Sequence, residues 1–155
     1  MKATIREVSA IPTLMYWRRE VMESVFGTVP SKRLLVRNRQ YYRRAVAEGR
    51  HIAVVAAVDG TDVGCGAVCL SEELPSPDNP SGRNAYLMNI YVRPQYRGQG
   101  VGHTVVRWLV AKARELDCDK IFLETTAGAR PLYKSIGFTD FPDMMKYAEI
   151  HNRKS

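Results

Sequence analysis

A glycine-rich run between a strand-like and a helix-like segment constrains this chain more than any other feature. Gly98, Gly100 and Gly102 alternate within it, and apolar stretches at 86–92 and 101–116 flank it. Alternating glycines let the backbone turn tightly, and the unbonded N–H groups at the start of a helix carry partial positive charge. The segment therefore predicts a strand, an anion-binding loop and a helix in immediate succession.

Two common phosphate-binding loops do not fit this run. A Walker A loop ends in Gly-Lys-Ser/Thr, and a dinucleotide fingerprint needs a third glycine where His103 stands. The pattern Q/R-x-x-G-x-G/A does fit, with Arg97, Gly100 and Gly102 at its fixed positions. This pattern resembles the acetyl-CoA pyrophosphate loop of the GNAT superfamily of N-acetyltransferases.

The neighbouring segments strengthen the resemblance. Upstream, the run 92–96 contains a proline, as does the strand exit that leads into this loop in the family. Downstream, the run 132–138 reproduces the family's LY-x-x-x-GF segment. The resemblance is strong from Ala85 to Phe138 and otherwise rests on the order of elements. It implies direct transfer of an acetyl group from acetyl-CoA to a primary amine of a small molecule or a protein.

The remaining patterns predict a single α/β domain over residues 1–155 with a mixed sheet of about six to seven strands and flanking helices. The strand across the predicted helix 101–116 should pair in parallel with its predecessor. In the family that the chain resembles, this parallel pair splays apart and admits the pantetheine arm of acetyl-CoA.

The predicted elements follow from hydrophobic period and from turn residues. In chain order they are a strand at 3–8, a helix behind Pro12 that ends by Gly27, a second helix with Leu35, Tyr42, Ala45 and Val46 inward and Gly49 at its end, a hairpin of 51–58 and 63–71 around Asp59-Gly60, a loop at 72–84, strands at 86–92 and 120–125 around the helix 101–116, a short helix at Tyr133 and a final strand near Met144 to Ile150.

Composition excludes several classes of protein. No apolar run approaches the ~20 residues of a membrane span, and the first residues lack the apolar stretch of a secretory signal, so a cytoplasmic protein is expected. Three cysteines, Cys65, Cys69 and Cys118, argue against a disulfide framework and indicate small core residues. The isolated histidines offer no metal-ligand spacing, and we expect no metal.

The resemblance implies two groups of cofactor contacts. The main chain of Ile90, Tyr91 and Val92 would bond the pantetheine arm. The loop that would hold the pyrophosphate consists of Arg97, Gly98, Gln99, Gly100, Val101 and Gly102. Arg97 is the cation of this loop, and its forked donors suit a phosphate. Arg130 and Lys134 are candidates for the nucleotide end of the cofactor, although a solvated helix face explains them equally well.

Transfer of an acyl group to an amine requires a deprotonated nucleophile and a proton for the departing thiolate. Tyr133 is a phenol with an ordinary pKa near ~10, and its place in LY-x-x-x-GF matches the family's general acid; a core packing role is the alternative. Asn89 and Glu124 interrupt apolar strands. Since a buried carboxylate is costly, Glu124 would take the amine proton, directly or through water, and Asn89 would orient the amine. A salt-bridged or edge-facing Glu124 stays open.

One departure from the family pattern lies just upstream of Tyr133. The family often carries an asparagine seven residues before the tyrosine, and Thr126 stands there in this chain. The resemblance therefore does not assign this cofactor-side hydrogen bond to the chain, while the expected fold is unaffected.

The basic character of the chain is concentrated in one segment. Its formal net charge is +7, and residues 31–50 contain seven cations and one anion, Glu48. The cations are Lys32, Arg33, Arg37, Arg39, Arg43, Arg44 and Arg50. Such a segment would select an acidic acceptor, face nucleic acid or simply be solvated.

Besides the enzyme, two other classes of protein stay open: a non-catalytic acyl-CoA sensor on the same fold, and a nucleic-acid-associated protein that uses the basic helix. The expected partners are acetyl-CoA and an amine acceptor, without a membrane, and nucleic acid is disfavoured. A homodimer is left open.

Overall fold

A five-stranded sheet, with helices attached to it, forms the frame of the protein. The computed structural model describes residues 2–148. The elements, in chain order, are β1 Thr4–Val8, α1 Ile11–Phe26, α2 Lys32–Ala47, β2 His51–Val58, β3 Thr61–Glu72, β4 Arg83–Val92, α3 Val101–Glu115, β5 Lys120–Leu123 and α4 Arg130–Ile136.

The strands lie in the sheet in the order in which they occur in the chain, β1-β2-β3-β4-β5. The first three pairs are antiparallel, and β4 pairs with β5 in parallel across the α3 connection. The predicted mixed α/β sheet is confirmed. The predicted count of about six to seven strands is wrong, because the described residues form five.

The predicted final strand near Met144 to Ile150 accounts for part of that difference. Met144 to Tyr147 form no strand, and every residue from 141 to 148 is exposed. Met145 is 99% exposed, so the alternation of apolar residues in this segment has no sheet face to cover. The end of the predicted strand, residues 149–150, lies outside the described residues.

The β2–β3 hairpin closes on the two-residue turn that the sequence predicts. Val58 pairs with Thr61, which leaves Asp59 and Gly60 as the loop. Both residues have positive φ, 49° for Asp59 and 79° for Gly60. Two positive φ angles define a type I′ turn, whose twist matches that of the strands, and Asp-Gly is a preferred sequence for it.

The first two helices begin and end at the residues that favour such positions. Pro12 lies in the first turn of α1, and Gly27 ends the helix with φ 70°. At α2, the Ser31 hydroxyl accepts a hydrogen bond from the Leu34 N–H at 3.1 Å and caps the helix. The inward face of α2 is confirmed, since Tyr42 and Ala45 are buried and Leu35 and Val46 pack against the core.

Helices cover both faces of the sheet. On one face, Leu14 of α1 and Tyr42 of α2 pack with Ala67 of β3. On the other, a Cβ added to the adjacent Gly66 would lie 2.6 Å from Val105 Cγ1 of α3. Successive strand residues point to opposite faces, so α1 and α2 lie over one face and α3 over the other. A strand that is buried on both faces needs apolar residues throughout, and this explains the continuous apolar sequence of β2 after His51.

The cysteines are free thiols, as expected. Cys65 and Cys118 are buried. Cys69 is half-buried, and the Tyr41 hydroxyl contacts its Sγ at 3.4 Å. Among residues 2–148, no helix has both the length and the apolar character needed to cross a bilayer.

The chain divides into two compact units, residues 1–125 and 126–155. The first contains the whole sheet with α1, α2 and α3, and the described part of the second, 126–148, contains α4. The single domain expected from the length stays a prediction.

Replacing Gly64 with alanine should destabilise the pairing of β3 with β4. A Cβ at this position would lie 2.7 Å from the Tyr91 carbonyl oxygen, and that oxygen belongs to the backbone of the neighbouring strand. Because one of the strands must shift, we expect the free energy of unfolding to fall by about 1–3 kcal/mol. Urea unfolding measures it.

The matched control is Gly128→Ala, because a Cβ at Gly128 meets no atom within 4 Å among the described residues. Its unfolding midpoint should stay near that of the parent. Equal midpoints for the Gly64 and Gly128 variants would show that the strands accommodate the methyl group.

Candidate active site

The parallel ladder of the sheet ends before β4 does. Asn84 to Leu87 of β4 pair with Lys120 to Leu123 of β5. The second half of β4, Met88–Val92, continues along β3, and no strand within residues 2–148 pairs with its other side. An extended backbone without a strand partner presents N–H and C=O groups to a ligand that can replace that partner. This half of β4 contains the predicted backbone contacts Ile90, Tyr91 and Val92.

A β-bulge lies where the parallel ladder has just ended. On β3, Cys65 pairs with Tyr91 and Ala67 with Met88, so Asn89 and Ile90 together face Gly66. Asn89 has φ 56°, a left-handed conformation that asparagine tolerates better than most residues. The Cys65 thiol donates to the Asn89 carbonyl oxygen at 3.3 Å. The asparagine that interrupts the apolar run thus marks a backbone irregularity, which the sequence analysis missed.

The side chain of Asn89 points to the face covered by α1 and α2. Its Oδ1 accepts a hydrogen bond from Arg18 Nη1 at 2.8 Å. Arg18 Nε donates to Asn38 Oδ1 of α2 at 3.1 Å, so one guanidinium joins α1, α2 and β4. Arg18 was not predicted as a site residue, because nothing in the local sequence pattern separates it from the many other cations.

The end of β4 is held by aromatic and arginine contacts. Tyr91 is buried beside Trp17 and Val21, and its hydroxyl accepts from Ser24 Oγ at 3.1 Å. Arg97 turns back toward the strand, donates from Nε to the Val92 carbonyl oxygen at 2.8 Å and lies with Cζ 5.7 Å from the Tyr91 ring. One of the predicted backbone contacts, the Val92 carbonyl, is therefore already bonded within the protein.

The glycine loop has the conformation that its sequence predicts. Gly98 and Gly100 have φ 75° and 86°. A Cβ at either position would meet no described atom within 4 Å, so the backbone conformation, not space, requires glycine there. The first bond of α3 runs from the Thr104 N–H to the Gly100 carbonyl at 3.0 Å. The N–H groups of 101–103 thus precede the helical ladder at the positive end of the helix dipole.

Arg93 fixes the exit of β4 into this loop. Its Nε donates to Glu20 Oε2 at 2.9 Å, its Nη2 donates to the Tyr16 hydroxyl at 2.8 Å, and its Nη1 donates to the Asp62 carbonyl at 3.0 Å. Its Cζ lies 4.9 Å from the Trp17 ring. The Glu20 carboxylate raises the pKa of Arg93. Ion pair, hydrogen bonds and ring contact together tie the strand exit to α1.

Glu124 does not occupy the centre of a strand, and that part of its prediction is wrong. β5 ends at Leu123, one residue earlier, and Glu124 is exposed. Its Oε1 accepts a hydrogen bond from the Tyr86 hydroxyl at 2.8 Å. Burial and this carboxylate raise the pKa of Tyr86 to about 12. No hydrogen bond joins Glu124 to Asn89 within the part of the chain described.

In the second unit, the LY-x-x-x-GF segment forms α4 and its C-terminal turn. Tyr133 is buried, and its ring packs edge to face with Phe138 at a centroid distance of 5.8 Å. Gly137 ends the helix with φ 122°, a conformation in which glycine is favoured. Burial raises the pKa of Tyr133, so the phenol keeps its proton at neutral pH.

The two cations predicted for the nucleotide end share one carboxylate. Arg130 Nη1 donates to Asp140 Oδ1, and Lys134 Nζ lies 3.7 Å from Asp140 Oδ2. Both ion pairs are exposed. Thr126, at the position where the family often has asparagine, accepts a hydrogen bond from the Ala129 N–H at 3.3 Å.

Known proteins resemble this chain in sequence. Thialysine N-epsilon-acetyltransferase of Bos taurus is 37% identical over 65 residues, which are 40% of this chain and 38% of that protein. N-acetyltransferase 8B of Rattus norvegicus is 36% identical over 80 residues, which are 46% of this chain and 36% of that protein. The chain thus matches less than two fifths of the length of these curated relatives.

Solved structures share the fold over nearly the whole chain. A predicted acetyltransferase from Clostridium acetobutylicum, determined with acetyl-CoA, has a TM-score of 0.83 and 22% identity over 97% of this chain and 98% of that one. Glucosamine-6-phosphate N-acetyltransferase from Arabidopsis thaliana has a TM-score of 0.74 and 18% identity over 96% of this chain and 99% of that one.

A family model matches most of the chain. The model described as the acetyltransferase (GNAT) family matches residues 12–138, which include the glycine loop and the LY-x-x-x-GF segment. The chain therefore belongs to the acetyltransferase (GNAT) family.

Proposed function

We propose that the protein is an N-acetyltransferase that transfers the acetyl group of acetyl-CoA directly to a primary amine. The observation that carries the proposal is the course of residues 88–102, where a strand edge that no described strand pairs with leads, after a single turn at Pro94–Tyr96, into a glycine loop that opens α3. A single cofactor with an extended amide-containing arm and a pyrophosphate matches both features. Family membership and the N-acetyltransferase relatives support the same reaction.

The chain offers distinct groups to the two parts of the cofactor. The backbone of Ile90 is assigned to the pantetheine amides, because Arg97 already bonds the Val92 carbonyl and the Tyr91 carbonyl faces β3, where a Cβ on Gly64 would lie 2.7 Å from it. The N–H groups that begin α3 are assigned to the pyrophosphate. Arg97 uses Nε for the strand, and its terminal nitrogens are available for a phosphate oxygen.

Acetyl-CoA would supply an activated acyl group. The chain would accept one proton from the amine and donate one proton to the thiolate. The amine nitrogen forms a bond to the acetyl carbon, the carbon–sulfur bond breaks, the amine loses one proton and the thiolate gains one. Tyr133 is proposed as the donor to the thiolate, because a phenol is protonated at neutral pH and burial raises the pKa of this one further. Glu124 is proposed as the acceptor of the amine proton, in keeping with its exposure, and Asn89 as a residue that orients the amine.

A cytoplasmic location stays a prediction, as do a homodimer and the exclusion of nucleic acid. A non-catalytic sensor is not favoured, because the chain keeps the phenol in the segment where the family places its general acid.

Acetyl-CoA should bind the folded protein and raise its Tm. A ligand that binds only the folded state stabilises it by about 2.7 kcal/mol at a hundredfold excess over its Kd. Thermal unfolding with acetyl-CoA, NAD and ATP measures the effect, and release of the CoA thiol with a panel of amines, thialysine among them, measures turnover. Equal shifts with all three nucleotides, or none with acetyl-CoA, would contradict the proposal. Binding without thiol release from any amine would identify a sensor.

Gly102→Val should weaken acetyl-CoA binding while the fold persists. A branched side chain in the first turn of α3 would obstruct the approach of a phosphate to the N–H groups there. Loss of charge-assisted hydrogen bonds should raise the Kd by about tenfold or more. Ala111→Val, on the exposed face of the same helix, is the matched control and should keep the parent's Kd. If both variants bind equally well by calorimetry, the pyrophosphate lies elsewhere.

Tyr133→Phe should lower kcat by about 10²- to 10⁴-fold, the range of general acid catalysis, and leave the Kd for acetyl-CoA unchanged. The phenyl ring keeps the packing on Phe138, so the loss reports the hydroxyl. Steady-state kinetics with the best amine of the panel measure kcat, and Tyr147→Phe, at an exposed tyrosine, is the control. An unchanged kcat when chemistry limits the rate would assign Tyr133 to packing.

A further inference from the structure

Arg18 of α1 is a half-buried cation that two neutral amides hold in place. Its Nη1 donates to Asn89 Oδ1 at 2.8 Å and its Nε donates to Asn38 Oδ1 at 3.1 Å. A guanidinium carries five N–H donors, and these contacts use only part of them. The amides satisfy hydrogen bonds but carry no charge, so the positive charge of Arg18 is not neutralised by them.

The carboxylates of α1 are engaged with other arginines. Glu20 accepts hydrogen bonds from Arg93, and Glu23 lies 3.9 Å from Arg19, one turn earlier. Within residues 2–148, no carboxylate lies within ion-pair distance of Arg18. A half-buried cation without a counter-ion is unfavourable, and an anionic ligand would relieve this cost.

The titratable groups on which the Arg18 charge acts do not supply the missing anion. They are His51, Tyr42 and Cys65. Burial lowers the pKa of His51 to about 4 and raises the pKa of both Tyr42 and Cys65 to about 12. All three are therefore neutral near pH 7. His51 is 6% exposed and its Nε2 has no hydrogen-bond partner in the described part, so this polar side of the core is also incompletely satisfied.

The position of Arg18 connects this charge to the proposed reaction. Asn89 is the first residue of the bulge, and the next residue, Ile90, provides the backbone assigned to the pantetheine arm. Arg18 thus lies beside the strand segment along which the thioester would be held, on the face covered by α1 and α2. A group bonded to its remaining N–H donors would belong to the acceptor rather than to the pyrophosphate, which is assigned to the start of α3.

We propose that Arg18 binds a carboxylate of the acceptor, and that the acceptor is therefore a small amine that also carries a carboxylate. The planar guanidinium matches the two oxygens of a carboxylate, and Asn38 and Asn89 are positioning residues that fix the orientation of the fork. The inference rests on the proposed acetyl transfer and narrows its substrate class.

Matched pairs of amines test the inference: glycine with glycinamide, beta-alanine with beta-alaninamide and lysine with lysinamide. In each pair the carboxylate becomes a neutral carboxamide of nearly the same shape. With the parent protein, kcat/KM should favour at least one acid over its amide by about 10- to 100-fold, as expected for a charge-assisted hydrogen-bonded pair. Equal kcat/KM for acid and amide in every pair, or a preference for the amide, would overturn the inference.

The variant Arg18→Gln should abolish this preference mainly through the KM of the acid, while the KM of the amide changes little. Arg18→Lys keeps the charge without the fork and should restore part of the preference. Arg19→Gln is the matched control, since Arg19 is the adjacent arginine of α1, is exposed and pairs with Glu23. If Arg18→Gln lowers kcat/KM equally for acid and amide, Arg18 only holds α1, α2 and β4 together, and the inference is wrong.

A second measurement separates this inference from the proposed function. If no amine releases CoA, the acetyl-transfer proposal fails, and binding then decides the role of Arg18. At least one acid should raise the Tm in the presence of CoA more than its amide does, and Arg18→Gln should lose that difference while Arg19→Gln keeps it. Equal Tm shifts for acids and amides in the parent would overturn the carboxylate site.

Discussion

The β-bulge at Asn89 and Ile90 is the constraint on which the candidate site depends. A regular β4 would continue the alternation of its first half, and Asn89 would then turn away from the face that Met88 covers. The extra residue opposite Gly66 lets the Met88 side chain pack against the core cluster of α1 and α2 while Asn89 reaches Arg18 on the same helices. The bulge also lies directly after Leu87, the last β4 residue paired with β5. The change of register and the end of the parallel ladder therefore act on the same short piece of backbone.

Three arginines hold this backbone from different directions. Arg18 fixes the bulge, Arg93 fixes the strand exit, and Arg97 folds back onto the last carbonyl of the strand. The ion pair of Arg93 with Glu20 is three quarters shielded, each side chain being 24% exposed. Such a pair is less screened by solvent than the exposed pairs of this protein, and losing one partner leaves the other poorly solvated. Polar contacts thus hold Met88–Val92 in place along β3, on a stretch of β4 where no second strand among the described residues supports it.

Local sequence patterns predicted the turns and loops whose backbone conformation depends on particular residues. The Asp59-Gly60 turn and the left-handed glycines of the loop each require particular residues, and the structure has them where the sequence predicts them. The motif of the glycine loop, together with the LY-x-x-x-GF segment downstream of it, was specific enough to identify the family. The prediction of a final strand near Met144 to Ile150 failed. Alternation of apolar residues shows that a segment could cover a sheet face, but it does not show that such a face is nearby.

The positions of the other site residues depend on long-range contacts, which a single sequence does not show. Glu124 was expected in a strand, but β5 ends one residue earlier and the carboxylate meets Tyr86 across the parallel pair. Arg18 and Arg93 are separated by 71 and 73 residues from their partners Asn89 and Glu20. Asn89 was noticed as a polar residue in an apolar strand, yet its left-handed φ depends on the register with β3.

The positive charges of the chain act over two different distances. Most cations of α2 are exposed, so their field extends into solvent and is screened over roughly 8 Å at physiological salt. Such a field raises the local concentration of any anion but distinguishes poorly between one acidic amine and another. Arg18 acts at hydrogen-bond distance from a half-buried position, where the arrangement of its donors matters as much as its charge. Selectivity among acceptors should therefore depend on this one guanidinium and on the two asparagines that orient it, while the basic helix affects how fast anions arrive.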